Sequence, residues 1–261
     1  FDVFYFNNLF WIEAFSIFTK NLHSVIMKLT TEQIDQLYRF TRQHYVEWYD
    51  LQTELVDHLA NAIEEQWQEN PKLSFNEALQ NEFKKFGVFG FMDVVEGKQR
   101  FLQKKYNQIV WTIVKTFFTL PKIMGTIGVT GVLFLLLKSS QYNGDWVLLF
   151  YGLLVVFAFY GMISNRLKHK KQIQNQEKRW LFEDIMNQYG GFAGAIIFPL
   201  NLFMQLFNRV EHYISNTYFL VFVSFFLVLM TILMYVIFFE IPSQSKKYLL
   251  QTYPEYSLAN L

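Results

Sequence analysis

Cysteine is absent from the 261 residues, which excludes disulfides, zinc–thiolate sites and thiol catalysis. Charge is scarce as well. Asp, Glu, Lys and Arg together make up 17% of the chain, against about 25% in an ordinary soluble protein. With 23 Lys and Arg facing 22 Asp and Glu, the formal net charge is +1. That is too small to point to a nucleic-acid partner. The sequence has no Gly-rich phosphate loop, no nucleophile elbow and no paired catalytic carboxylates in a setting that would use them. It also has no HExxH or repeated Glu-x-x-His spacing. No catalytic residue, cofactor site or metal site is therefore assigned, and a non-enzymatic role is expected.

What the chain does have is apolar and aromatic bulk: 52% hydrophobic residues, 20% aromatic residues and 30 Phe. The mean hydropathy of +0.13 averages two unlike parts. A polar part runs to about Lys105, and a mostly apolar part follows. Within the second part, residues 165–179 read NRLKHKKQIQNQEKR, with Arg166, Lys168, Lys170, Lys171, Lys178 and Arg179 against the lone acid Glu177. Long apolar runs flank this stretch on both sides. Read as a loop between spans, it stays cytoplasmic, because short cationic loops resist translocation.

Four candidate spans follow from length and composition, at residues 120–137, 145–164, 190–207 and 218–241. A span needs about 20 apolar residues, with roughly 17 as the lower limit. The first and third are close to that limit, and Pro199 interrupts the third. Lys104, Lys105, Lys115, Lys122, the central stretch and Lys246-Lys247 all fall on one side, whereas the opposite loops offer Lys138 and Arg209. Both termini are therefore expected inside, in a multi-pass protein of the cytoplasmic (inner) membrane of a bacterium, with the lipid bilayer as its first partner.

The front of the chain shows helix signals. Residues 1–27 begin FDVFYF and carry Asp2 and Glu13. They are expected to be either translated upstream sequence or an interfacial aromatic anchor. Thr30-Thr31-Glu32-Gln33 and Ser74-Phe75-Asn76-Glu77 are capping boxes. Between them, Leu51, Leu55, Leu59, Ala62, Ile63 and Trp67 recur at helical spacing near residues 47–69, and Asn70-Pro71 ends the pattern. Ala78, Leu79, Phe83 and Phe86 form the inner face of the next helix, and Gly87 is placed to close it in a left-handed conformation. Residues 28–88 thus read as a small cytoplasmic helical domain. Residues 89–119 follow as an interfacial linker, 120–241 as a four-span bundle and 242–261 as a cytoplasmic tail. The fold class is all-α. No Pro- or Gly-rich segment interrupts the chain before Pro121, so a near-continuous helical run is expected from Phe91 to Leu137.

The densest ionisable cluster is Asp50, Glu54, Asp57 and His58, with His44 and Glu47 upstream. Glu54 and His58 are four apart and can face one cation, while Asp50, Glu54 and Asp57 share a face that can meet a basic partner. The same residues also read as a solvated polar face with His58 paired locally. In the spans, Gly125, Gly128 and Gly131 line one side of the first. Gly190/Gly194 and Gly191/Ala195 make small-xxx-small pairs in the third, which suit a bundle or a homo-oligomer face. Asp145, Glu183, Asp184, Glu211 and Glu240 all lie at or beyond span ends, so none offers a mid-membrane relay. Glu211-His212 and His23 read as surface residues. Trp146, Trp180, Tyr218, Tyr248, Tyr253 and Tyr256 fit interfacial belts.

Residues 51–87 resemble a known module. Glu54-Leu55-Val56-Asp57-His58-Leu59, Ile63-Glu64-Glu65, Ser74 with Glu77-Ala78-Leu79, and Phe86-Gly87 are similar to the HAAS-type, or permease-prefix, helical domain at the cytoplasmic N-termini of bacterial membrane proteins. The resemblance implies a module joined to transmembrane helices, often encoded beside PadR-like regulators and used for regulatory protein contacts. It covers roughly 40–60 residues and carries no information on the spans. Trp48, Tyr49 and the Phe-rich linker depart from the usual pattern. The expected function is regulatory or signal-coupling, through a protein partner bound by residues 28–88, with a subunit of a transporter or permease as the alternative.

Overall fold

A computed structural model of the chain describes residues 28–139, 143–175, 178–188, 201, 205 and 216–259. Of the expected third span at 190–207, only residues 201 and 205 are described; Gly190, Gly191, Gly194, Ala195 and Pro199 lie outside the described residues. So do residues 1–27, Arg209, Glu211 and His212. Every element among the described residues is helical, as the 3.6-residue periodicity predicted. The chain divides into two compact units between Gly97 and Lys98.

In the first unit, α1 spans Thr31–Gln43, α2 Tyr49–Glu69 and α3 Phe75–Lys84. Both capping boxes form. Thr30 Oγ1 accepts from the Gln33 amide at 3.3 Å and the Gln33 side chain accepts from the Thr30 amide at 2.9 Å. Ser74 and Glu77 repeat the exchange at 3.3 and 3.1 Å. Each box satisfies two amides that the first helical turn leaves without partners. The predicted stripe of α2 is the core: Leu51, Leu55, Leu59 and Ile63 are buried against Leu37 of α1 and Ala78 and Leu79 of α3. A ring cluster of Phe40, His44, Phe83, Phe86 and Phe91 closes one end, with centroids 4.2–6.5 Å apart. Gly87 adopts the expected positive φ of +75°.

The helix α4, Met92–Thr116, contains the division at Gly97. Its run ends at Thr116, and α5 starts only at Lys122. The expected continuity to Leu137 is therefore broken at residues 117–121. Pro121 supplies no amide hydrogen, and the residue before a proline is pushed out of the α region. Along α4, Phe101 is exposed, whereas Leu102, Tyr106, Val110 and Val114 are buried in the second unit.

In the second unit, α5 (Lys122–Ser139) and α6 (Asn143–Asn175) precede α7 (Leu181–Asn187). The helix α8 (Thr217–Tyr235) runs on through a π-helical turn at Val236–Glu240 into the short α9 (Ile241–Ser243), then α10 (Ser245–Thr252) and α11 (Tyr256–Ala259). Among the described residues, three stretches are long and apolar enough to cross a membrane: Lys122–Ser139, Gly144–Lys171 and Thr217–Ser243. The first has 18 residues, about 27 Å of helix against a hydrocarbon core of about 30 Å. Half of the third window is buried inside the protein against 11% of the first, so α8 is the helix on which the others pack. The basic stretch at 165–179 is not a loop through most of its length: α6 continues to Asn175. Lys, Arg and Gln are good helix formers, and no Gly or Pro interrupts them.

Candidate functional site

The buried residues of α6 are Val147, Tyr151, Leu154, Ala158, Gly161 and Asn165. Their spacing alternates between four and three, which keeps one seam facing a partner helix. The sequence hid this seam because the positions around it are apolar too. Toward its end the seam turns polar and meets two devices that apolar patterning does not reveal.

The first is the π turn. In a regular helix the Phe238 carbonyl would accept from residue 242, but residue 242 is Pro242 and has no amide hydrogen. The ladder instead shifts by one, with the Ile241 amide donating to the Val236 carbonyl. The buried Asn165 side chain donates to the Phe238 carbonyl through Nδ2 at 3.0 Å. One turn earlier, Gly161 makes room for the bulge. A Cβ there would lie 2.6 Å from Cγ and 2.8 Å from Cβ of Phe238. One turn earlier again, Phe157 stacks on Phe239 with centroids 5.3 Å apart.

The second device is a polar knot at the C-terminal end of the seam. His169, next on the same seam, approaches Asp184 Oδ1 through Nε2 at 3.3 Å, and Arg179 Nη2 donates to Asp184 Oδ2 at 2.7 Å. Asn187 Nδ2 donates to the Glu183 carbonyl at 2.9 Å and to His169 Nδ1 at 2.8 Å. In this arrangement Nδ1 faces the Asn187 amide and Nε2 faces Asp184. Both ring nitrogens are thus engaged within the protein, so His169 acts as a brace, with neither nitrogen presented to a substrate. Glu183 is buried beside this group. Desolvation pushes its carboxyl above the usual range, His169 opposes the shift, and Asp184 adds to it. Around the knot, Trp180 packs on Tyr253 and Tyr256, and the Phe182 amide donates to the Tyr253 hydroxyl at 3.3 Å. Lys105 donates to Thr252 Oγ1 at 2.9 Å and sits 5.6 Å from the centroid of Phe182.

These contacts revise two expectations. Trp180, Tyr253 and Tyr256 are core residues, each at most 5% exposed, and not members of an interfacial belt; Trp146 and Tyr218 do remain exposed. Glu183 and Asp184 do lie beyond the span ends, but they are buried inside the protein. The Leu-Phe-Glu-Asp run was the available signal, since two acids embedded among large apolar residues need internal partners.

The residues singled out in the first unit divide. Glu54, Asp57 and His58 are exposed on α2, whereas Asp50 is buried. The acidic face is therefore shorter than its spacing suggested. His58 Nε2 lies 3.6 Å from the buried Glu82, which Lys85 and Gln66 also approach. Among the described residues, no group of three or more His, Asp or Glu could hold a metal ion. On α5, a Cβ at Gly125, Gly128 or Gly131 would meet nothing within 4 Å. Among the described residues those glycines border open space, whereas Gly161 makes a close helix contact. An apolar cavity of about 740 Å³ opens beside Gly125, between Val129, Leu133 and Leu136 of α5, Leu154 of α6 and Leu227 of α8.

Comparison with protein-family models, with curated proteins and with solved structures finds no match.

Proposed function

We propose that the chain is a non-enzymatic, multi-pass membrane protein with a regulatory or signal-coupling role, in which the front helical unit is a protein-interaction module. The observation that carries this reading is the pairing of a self-contained polar unit with a unit built on apolar helices. The first has its own Leu37–Leu59–Leu79 core and exposes Glu54 and Asp57, and the second includes three helices long and apolar enough to cross a membrane. The similarity of residues 51–87 to permease-prefix domains supports the same assignment. The excess of Lys and Arg in and around residues 165–179 supports cytoplasmic termini in a bacterial inner membrane. The signal would pass along α4, the helix whose residues belong to both units.

The test is a pull-down of the intact protein from gently solubilised membranes with mass spectrometry, beside a variant lacking residues 28–88 and the full-length Glu54→Lys/Asp57→Lys variant. A partner kept by the intact chain and lost by both variants is the expected result. Identical partner sets from all three would overturn the reading. A Gly-Gly-Ser insertion after Lys105 tests the coupling, and an unchanged output would count against it. The cavity of about 740 Å³ beside Gly125 favours a second reading, a transporter subunit for an apolar cargo. A saturable flux in proteoliposomes holding this protein alone would replace the first reading with the second.

A further inference from the structure

The turn after α3 carries apolar side chains outward. Gly87 and Gly90 both adopt positive φ, +75° and +54°, a conformation that glycine enters without steric cost. Between them Val88 is 98% exposed and Phe89 71% exposed, and Met92 just beyond is 42% exposed. The turn is closed by its own backbone, with the Gly90 amide donating to the Gly87 carbonyl at 3.3 Å and the Met92 amide to the Phe89 carbonyl at 3.2 Å. It is also seated from beneath. A Cβ on Gly90 would come 3.0 Å from Cζ of Phe83, and Phe83 packs on Phe40, His44 and Phe91. On the rim of the same ring cluster, Tyr45 follows His44 in a left-handed conformation (φ +65°) and is 78% exposed. Apolar surface presented on an anchored turn marks a contact site.

We propose that this turn is a membrane-inserting knuckle, with Val88 and Phe89 entering the headgroup–acyl boundary of an anionic bilayer. Charge favours that occupant. Lys84, the last residue of α3, and Lys85 just after it stand exposed before the tip, where they face anionic headgroups. Lys85 is paired with the buried Glu82, which His58 also approaches, and Glu65 and Glu69 act on Lys85 as well, so Lys84 carries most of the attraction. Asp93 lies beyond Met92 and sets a limit on how strongly the surface is drawn in. The convex, two-residue tip suits a fluid interface, which needs no matching pocket. Weak insertion is sufficient, because the unit is tethered to a chain with membrane-spanning helices, and its effective concentration at a membrane is high. The knuckle lies outside the Glu54–Asp57 face, so it adds a lipid contact to the protein contact proposed above.

The chain has no cysteine, so Val88→Cys in the full-length protein gives a single site for a nitroxide label, with Gln80→Cys on exposed α3 as a control. The protein is reconstituted in vesicles of phosphatidylcholine alone or mixed with phosphatidylglycerol. Collision rates are then measured with oxygen and with a water-soluble nickel chelate. Lipid insertion gives high oxygen and low nickel accessibility at position 88 in the mixed vesicles, and high nickel accessibility at position 80. Adding Phe89→Asp raises the nickel rate at position 88 several-fold, and adding Lys84→Glu removes the difference between the two vesicles. High nickel accessibility at position 88 in both vesicles overturns the proposal. Exclusion of both reagents also overturns it, because it shows burial in protein, whether in a partner or in another segment of the chain. Equal insertion in both vesicles overturns the assigned preference for anionic lipid.

Discussion

The two units are held together by different kinds of contact. In the first, an aliphatic stripe fills a core between α1, α2 and α3, and the starts of α1 and α3 are tied by residues three apart in sequence. In the second, the telling contacts join residues far apart: Asn165 with Phe238, Gly161 with Phe238, and Lys105 with Thr252. Membrane-type helices have little to gain by burying apolar side chains from lipid that is equally apolar. Close approach and polar contacts therefore decide which faces meet. A water-facing bundle can rely on the hydrophobic effect for its cohesion, and its polar residues are left to start and stop helices.

The largest effect is expected at the core of the first unit. Leu59 is fully buried, so Leu59→Ala removes packing and leaves a cavity, at a cost of about 3 kcal/mol. Hydrogen exchange of the α1–α3 amides reads this directly, and unchanged protection would show that the stripe is not the core. In the other unit the corresponding cut is Asp184→Ala, which strips His169 and Arg179 of their shared partner. The loss expected for a broken buried pair, discounted because Arg179 is 37% exposed, is about 2 to 3 kcal/mol. It would appear as a lower midpoint of thermal unfolding in detergent.

The π turn yields a matched pair of variants. Gly161→Ala forces a methyl against the base of the Phe238 side chain, and Asn165→Ala removes the side-chain donor to the Phe238 carbonyl. Each is expected to cost about 2 kcal/mol. The same substitution at Gly128, where a Cβ meets nothing within 4 Å, is the contrasting control. If Gly128→Ala proves as costly as Gly161→Ala, the α5 glycines are themselves a packing face, as in a homo-oligomer.

Smaller effects sharpen the contrast. Ser74→Ala removes one side of a capping box and is expected to cost about 1 kcal/mol, read from chemical denaturation. Glu183→Gln works in the opposite direction. Burial raises the carboxyl of Glu183 above its unfolded value, so the folded state binds that proton more tightly than the unfolded chain. Its contribution to stability is present below the unfolded carboxylate range and is lost as pH rises through the raised folded value. The variant should therefore be more stable than the parent near neutral pH, and the gap should close toward acid. A gap that widened toward acid would mean that the carboxylate is held as an anion.

Much of the first unit was legible because its signals are local. Thr30 with Gln33, Ser74 with Glu77, the 51–55–59–63 stripe and Gly87 each declare their role within one or two turns, and each is found in that role. The acidic face was legible only in part, since spacing placed Asp50 beside Glu54 and Asp57 but could not say that Asp50 is buried. The span at 120–137 was placed within two residues of Lys122–Ser139, because length and hydropathy are also sums over neighbours.

By itself, the sequence determined that the described chain is helical, where its polar helices start, and which stretches are apolar enough to enter a membrane. All of these depend on residues within a few turns of one another. Only the tertiary structure decided which face of α6 is internal, why Gly161 matters there and Gly128 does not, and where the Glu183–Asp184 pair finds its partners. In a helix that is apolar all round, periodicity has no contrast to report. Pro242 announces that the Phe238 carbonyl loses its regular helical donor, but a side chain that donates to it, Asn165, lies 73 positions earlier, at a distance in sequence that only folding closes.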